Sequence, residues 1–153
     1  MRQDPPELLA MIAQLIGTPS VSSVTPDLDQ GNRAVIDLLA GWLGDVGFDV
    51  EVMPLPGEPA RANLIATLGH GPGGLVLSGH TDTVPWDDGD WQYDPFSLTE
   101  ADGRLFGLGT ADMKAFLGLA IEALRDIRPQ DLREPVIILA TADEETSMAG
   151  ART

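Results

Sequence analysis

Apolar residues return every three or four positions in three stretches of the chain, the spacing that lines one face of a helix. Leu8, Leu9, Ile12, Leu15 and Ile16 form the first stripe, which Gly17 and Pro19 end. Val35, Leu38, Leu39, Trp42, Leu43 and Val46 form the second, closed by Gly47. Met113, Phe116, Leu117, Ala120, Ile121, Leu124 and Ile127 form the third, stopped by Pro129. Between them, "FDVEVMPL" alternates as a strand does and "ANLIATLG" reads as another, with "GHGPGG" as a turn. "GLVLSG" and "PVIILATA" are short unbroken apolar runs, the pattern of strands covered on both faces. "GRLFGLG" reads as a short strand or part of a hairpin, and "TSMAGART" as the first turns of a helix with Thr146 or Ser147 as N-cap.

Helices interleaved with buried strands predict α/β layers. Both apolar runs end in chemistry: "LVLSGHTDTVPWDD" delivers His80, Asp82, Asp87 and Asp88, and the second run leads into Asp143, Glu144 and Glu145. In open α/β sheets the carboxyl ends of strands are where ligands bind. The 153 residues suffice for one domain with a real core. A net charge of −15 argues against nucleic-acid partners and against docking on anionic membranes. No segment has the length to span a bilayer. The start "MRQDPPELLAMIAQLIG" reads as an amphipathic helix and not a secretory signal, which would have a basic start and an uninterrupted apolar run. There are no cysteines, which removes thiolate nucleophiles and Cys-type zinc sites and fits a cytoplasmic protein.

Each chemical signal has a plain structural alternative. On an extended segment His80 and Asp82 face the same side, so the carboxylate can fix one imidazole nitrogen and leave the other for a metal; alternatively the pair merely ends a strand and opens a turn. Asp112, in "GLGTADMK", lies before the third helix, where a carboxylate also serves as a cap. The glycines Gly107 and Gly109 do not make a dinucleotide loop, because an anion stands where a phosphate would sit. The Asp143–Glu144–Glu145 run is either a solvated acidic turn or a cluster made tolerable by a cation, with one glutamate on the metal and its neighbour free as a base. Together these groups offer imidazole and carboxylate donors suited to zinc or a similar transition metal. A carboxylate able to bridge two ions is what a two-metal hydrolase needs. There is no G-x-S-x-G elbow to support a serine mechanism.

The segments "SGHTDTVP", "GLGTADMK" and "ATADEETSMAGA" resemble the signature segments of the M20 metallopeptidase and deacylase family. The likeness extends to "GTPSVSS", "LAGWLGDVGFDVEV" and "DPFSLTEADGRLFGLG", and so to nearly the whole chain. It implies a three-layer α/β/α zinc-peptidase-like catalytic domain, with residues 1–153 as its N-terminal part and the dimerisation or lid domain and the rest of the catalytic domain absent. It implies two Zn2+ or Co2+ ions per site, with His80 on the first, Asp112 bridging both and Glu145 on the second. Asp82 would orient His80, and Glu144 would be the general base. It implies a cis peptide at Asp112–Met113, a small-molecule N-acyl amino acid as substrate (a dipeptide in some members), and a homodimer in the full-length form. A further acidic ligand and a histidine would lie beyond Thr153, and His70, in the "GHGPGG" turn, matches no family ligand. The chain alone is therefore expected to be inactive, either as part of a longer enzyme or as a non-catalytic binding module. Trp86, Trp91, Tyr93 and Phe96 in the aromatic loop are read as packing, and Ala115 stands where the family more usually has glycine.

Overall fold

In the computed structural model, residues 4–87 and 89–153 are described; Met1–Gln3 and Asp88 lie outside the described residues. Three helices follow the three apolar stripes: α1 Leu8–Ile16, α2 Arg33–Val46 and α3 Lys114–Leu124. Gly47 closes α2 with φ 108°, a left-handed conformation that a residue with a Cβ adopts at a cost. The third helix stops at Leu124, short of the Ile127 that its stripe includes.

The described residues also form six strands: β1 Asp49–Leu55, β2 Glu58–Leu68, β3 Leu75–His80, β4 Thr99–Ala101, β5 Arg104–Phe106 and β6 Val136–Thr141. Four make the main sheet in the order β1-β2-β6-β3. β1 and β2 pair antiparallel, as do β2 and β6, while β3 runs parallel to β6 with Leu75 opposite Val136 and His80 opposite Thr141. β4 and β5 form the hairpin expected around "GRLFGLG".

α2 packs on β1 and β2, α3 on β3, and α1 on α3. The core lies between these helices and one face of the sheet, where Leu64, Ala66, Leu68, Ile138 and Ala140 meet Leu15, Leu39, Leu43, Leu117 and Ile121. Each Leu or Ile fully buried there contributes about 2 kcal/mol. The chain's own helices thus build one helical layer of the expected architecture.

That arrangement corrects the reading of both apolar runs as strands covered on two faces. β6 is buried at alternate positions only, and β3 stands at the sheet edge with Leu75 and Val76 at 57% and 51% exposure. An unbroken apolar run cannot reveal which face is covered, because its pattern carries no alternation. The C-terminal stretch is likewise corrected. Thr146 and Ser147 cap no helix; their hydroxyls donate to the Asp143 carboxylate, and a short 3-10 turn, Gly150–Arg152, follows.

Candidate metal centre

The parallel pairing of β3 with β6 explains why the two chemistry-bearing strand ends meet. In register, their C-terminal ends bring the loop after His80 beside the loop after Thr141. Thr81 N–H donates to Thr141 O at 2.9 Å, and the Thr81 hydroxyl donates to the same carbonyl at 3.0 Å. Asn32, buried ahead of α2, ties the loop after His80 to β2. Its Nδ2 donates to Ala62 O at 2.8 Å and Thr81 Oγ1 at 2.7 Å, and its Oδ1 accepts from Ala62 N–H at 2.9 Å.

His80 is buried, with its two ring nitrogens turned to different partners. Nδ1 lies 3.0 Å from the Asp82 carbonyl oxygen and 3.6 Å from Asp82 Oδ1. Nε2 lies 3.0 Å from Asp112 Oδ1 and 3.8 Å from Glu144 Oε2. Asp82 is itself buried, and its Oδ2 accepts the Glu145 N–H at 3.0 Å. Asp112 reaches the cluster from the glycine-rich turn before α3, and a cis Asp112–Met113 peptide follows it. The N-cap of α3 is Met113, with no side-chain cap bond, while the Asp112 carboxylate is turned to the His80 ring. Glu144 and Glu145 come from the loop after β6, and ligand atoms of His80, Glu144 and Glu145 all lie within 4.8 Å of one another.

The electrostatics follow from this crowding. Burial alone would lower the His80 pKa, but the hydrogen bond and charge of Asp82, with Asp112 beyond, raise it to about 9. Burial would raise Asp82, yet the His80 ring and the backbone N–H groups of Glu145 and Glu144 hold it below the ordinary carboxylate value. Glu145 is raised, first by burial and then by the charges of Asp112, Glu144 and Asp82, with His80 opposing. The site thus has more anionic charge than one imidazolium answers, a surplus that a divalent cation neutralises.

Two further observations fit a metal. Asp82 Oδ1 is buried without a hydrogen-bond partner, 3.6 Å from His80 Nδ1. An acceptor waiting there is what a histidine needs when its Nε2 is committed to a cation. Ligands at about 2.0–2.1 Å from a tetrahedral zinc stand roughly 3.4 Å apart, and the Nε2–Asp112 separation of 3.0 Å is close to that spacing. His70 is exposed and lies in the turn before β3, away from this cluster.

Asp143, adjacent in sequence, belongs elsewhere. It is buried at φ 59°, and its carboxylate accepts hydroxyls from Ser22, Thr146 and Ser147, with Arg61 at 3.6 Å. Burial would raise its pKa, but those hydrogen bonds and the guanidinium hold it at about 2. A run of three carboxylates is therefore split, one turned into a hydroxyl nest and two toward His80. Lys114, directly after Met113, is also fully buried; its Nζ donates to Thr18 O at 2.8 Å and Ser20 Oγ at 3.3 Å, and burial lowers its pKa to about 8. Sequence reasoning missed these supporting groups. The available signal was "GTPSVSS", a hydroxyl-rich stretch with no apolar period.

A cleft beside Asp112 and Glu145 is walled by Val84, Trp91, Leu105 and Phe106. Trp86 packs edge-on against Phe96 at 4.8 Å and Tyr93 against Phe106 at 4.9 Å, as expected of packing aromatics, whereas Trp91 faces this cleft. Ala115 is buried against Ile12 and Ile16 of α1, so its methyl is accommodated.

A mixed α/β sheet whose parallel strand ends gather a histidine and several carboxylates defines a metallohydrolase class. Residues 76–153 match the model of peptidase family M20/M25/M40, and the chain belongs to that family, whose members use divalent metal. It is 55% identical over 152 residues to an acetylornithine deacetylase of Pectobacterium atrosepticum, covering 99% of this chain and 40% of that protein. It is 57% identical over 147 residues to an acetylornithine deacetylase of Salmonella paratyphi B, covering 96% and 38%. The chain thus spans about 40% of the length of the curated relatives it matches. Among solved structures, human carnosine dipeptidase 1 superposes with a TM-score of 0.76 at 24% identity, over 94% of this chain and 33% of that one, a likeness of fold.

Proposed function

We propose that this chain carries the N-terminal part of a two-metal amidohydrolase that converts N2-acetyl-L-ornithine to L-ornithine and acetate. The observation that carries the reading is the convergence of His80, Asp112, Glu144 and Glu145 at one sheet edge, backed by the unpaired Asp82 oxygen. The 55–57% identity to acetylornithine deacetylases supports the choice of substrate. His80, Asp112 and Glu145 would hold Zn2+ or Co2+, Asp112 shared between two ions, with the remaining ligands and a dimerisation domain outside residues 1–153. When bound, the metal would lower the pKa of water toward about 7 and polarise the amide carbonyl.

The chain's own residues then do three things. Asp82 fixes the tautomer and aim of His80 through Nδ1. Glu144, partly open to solvent, takes the proton of the attacking water and returns it to the departing amine of ornithine. The Asp112–Glu145 cleft with its Trp91 wall keeps bulk water from one side of the reacting amide. The substrate is a small N-acyl amino acid, with neither nucleic acid nor membrane as partner, and the place of action is the cytoplasm. Replacing Glu144 by Gln should spare metal binding, read by calorimetry with Zn2+. In an enzyme completed to the length of the relatives it should abolish release of ornithine. Loss of metal in E144Q would reassign Glu144 as a ligand, and turnover of a succinylated or dipeptide substrate in place of N2-acetyl-L-ornithine would overturn the substrate.

A further inference from the structure

The stretch between α1 and α2 contains two buried serines, Ser20 and Ser22, each 1% exposed. Burying hydroxyls is costly unless they are hydrogen-bonded, so their partners are informative. Ser20 and its neighbours run alongside the loop that follows His80. Ser20 Oγ donates to Thr81 O at 2.7 Å, Thr83 N–H to Ser20 O at 3.2 Å, and Ser22 N–H to Thr83 O at 2.9 Å. The same stretch receives the Lys114 ammonium on Thr18 O and Ser20 Oγ, which ties it to the turn carrying Asp112. Its last member, Ser22, donates to Asp143 Oδ1 at 2.5 Å, which ties it to the loop carrying Glu144 and Glu145.

One extended segment is therefore bonded to all three loops that supply the candidate ligands. None of its own side chains lies among those ligands. Resting on the metal reading above, we propose that residues 18–22 are a polar strut that sets the spacing of the three loops, with Ser22 and Lys114 as positioning residues. The strut replaces what a rigid secondary-structure element would otherwise do, since loops by themselves hold side chains loosely. Ser22 acts at a distance of one residue: by holding Asp143 in its left-handed conformation it fixes the direction in which Glu144 and Glu145 leave β6. Lys114 does the same for Asp112, pinning the start of α3 to the strut.

The test uses the enzyme completed to the length of the relatives, with Co2+ as probe, since its visible d–d absorption reports ligand number and geometry. Ser22→Ala and Lys114→Met should each weaken Co2+ binding roughly tenfold or more, the range seen when outer partners of metal ligands are removed. Both should also shift the d–d band. Ile138→Val, a core change away from the loops, should lower stability while leaving band and affinity alone. Amide hydrogen exchange gives a metal-independent reading: Ser22→Ala should speed exchange at the Glu145 and Met148 amides, which bond Asp82 Oδ2 and Asp143 O, and leave the β6 amides unchanged. Unaltered Co2+ spectra and exchange in both variants would overturn the strut. Completed wild-type enzyme that binds no Co2+ while Ser22→Ala still loosens Glu145 would overturn the metal reading alone. Should Ser22→Ala fail to fold, Lys114→Met and Ser20→Ala decide the matter by the same readouts.

Discussion

Asp143 offers a stability measurement whose sign and size follow from its surroundings. Its pKa falls from the ordinary 3.8 to about 2, because three hydroxyls and the Arg61 guanidinium outweigh the opposing effect of burial. A depressed carboxylate contributes stability that is fully present above its unfolded pKa and is lost as pH falls through the folded one. At about 1.36 kcal/mol per pKa unit, that contribution is about 2 kcal/mol, lost between roughly pH 5 and pH 2. Asp143→Asn removes the charge but keeps the shape. The remaining carboxylates are common to both proteins, so the difference between them isolates this group. Urea unfolding followed by circular dichroism at pH 7, 5, 4, 3 and 2 should show the wild type ahead by about 2 kcal/mol more at pH 7 than at pH 2. A wild-type advantage that stays constant across this range would refute the argument, because Asp143 would then carry no more charge stabilisation in the fold than in the unfolded chain.

The other expectations are simpler. Asn32→Ala strands the buried Ala62 amide and carbonyl; a loss of about 3 kcal/mol by chemical denaturation is expected, and a loss below ~1 kcal/mol would mean water replaces the side chain. Leu117→Ala, at a position with no exposure, should cost about 2–5 kcal/mol by the same assay, with a value near zero counting against the packing of α3 on the sheet. Gly150→Ala would place a methyl 2.4 Å from Ala142 O and 2.6 Å from Asn63 Oδ1, so the backbone must shift. It should cost about 1–3 kcal/mol and expose the Ala142 amide to faster hydrogen exchange, whereas unchanged exchange would show that the turn yields freely.

Much of this protein is settled by its sequence. The three apolar stripes fix the helices, because only a helix brings every third and fourth residue to one side, and glycines and prolines mark their ends. The donor types were legible too: an imidazole and carboxylates stand at strand ends, each with a plain structural alternative, and the wording of those segments carried the family likeness. Tertiary structure decided the rest. Parallel pairing of β3 with β6, a contact between residues some 60 positions apart, is what brings His80 to Glu144 and Glu145. Which of three consecutive carboxylates faces the site depended on Asp143 meeting Ser22, more than a hundred residues earlier. Two unbroken apolar runs could not say that helices cover only one of their faces, and "GTPSVSS" could not say that its hydroxyls are buried. Local pattern records the faces a segment presents; what meets them is chosen by the chain's return from far away in sequence, and no local period encodes that.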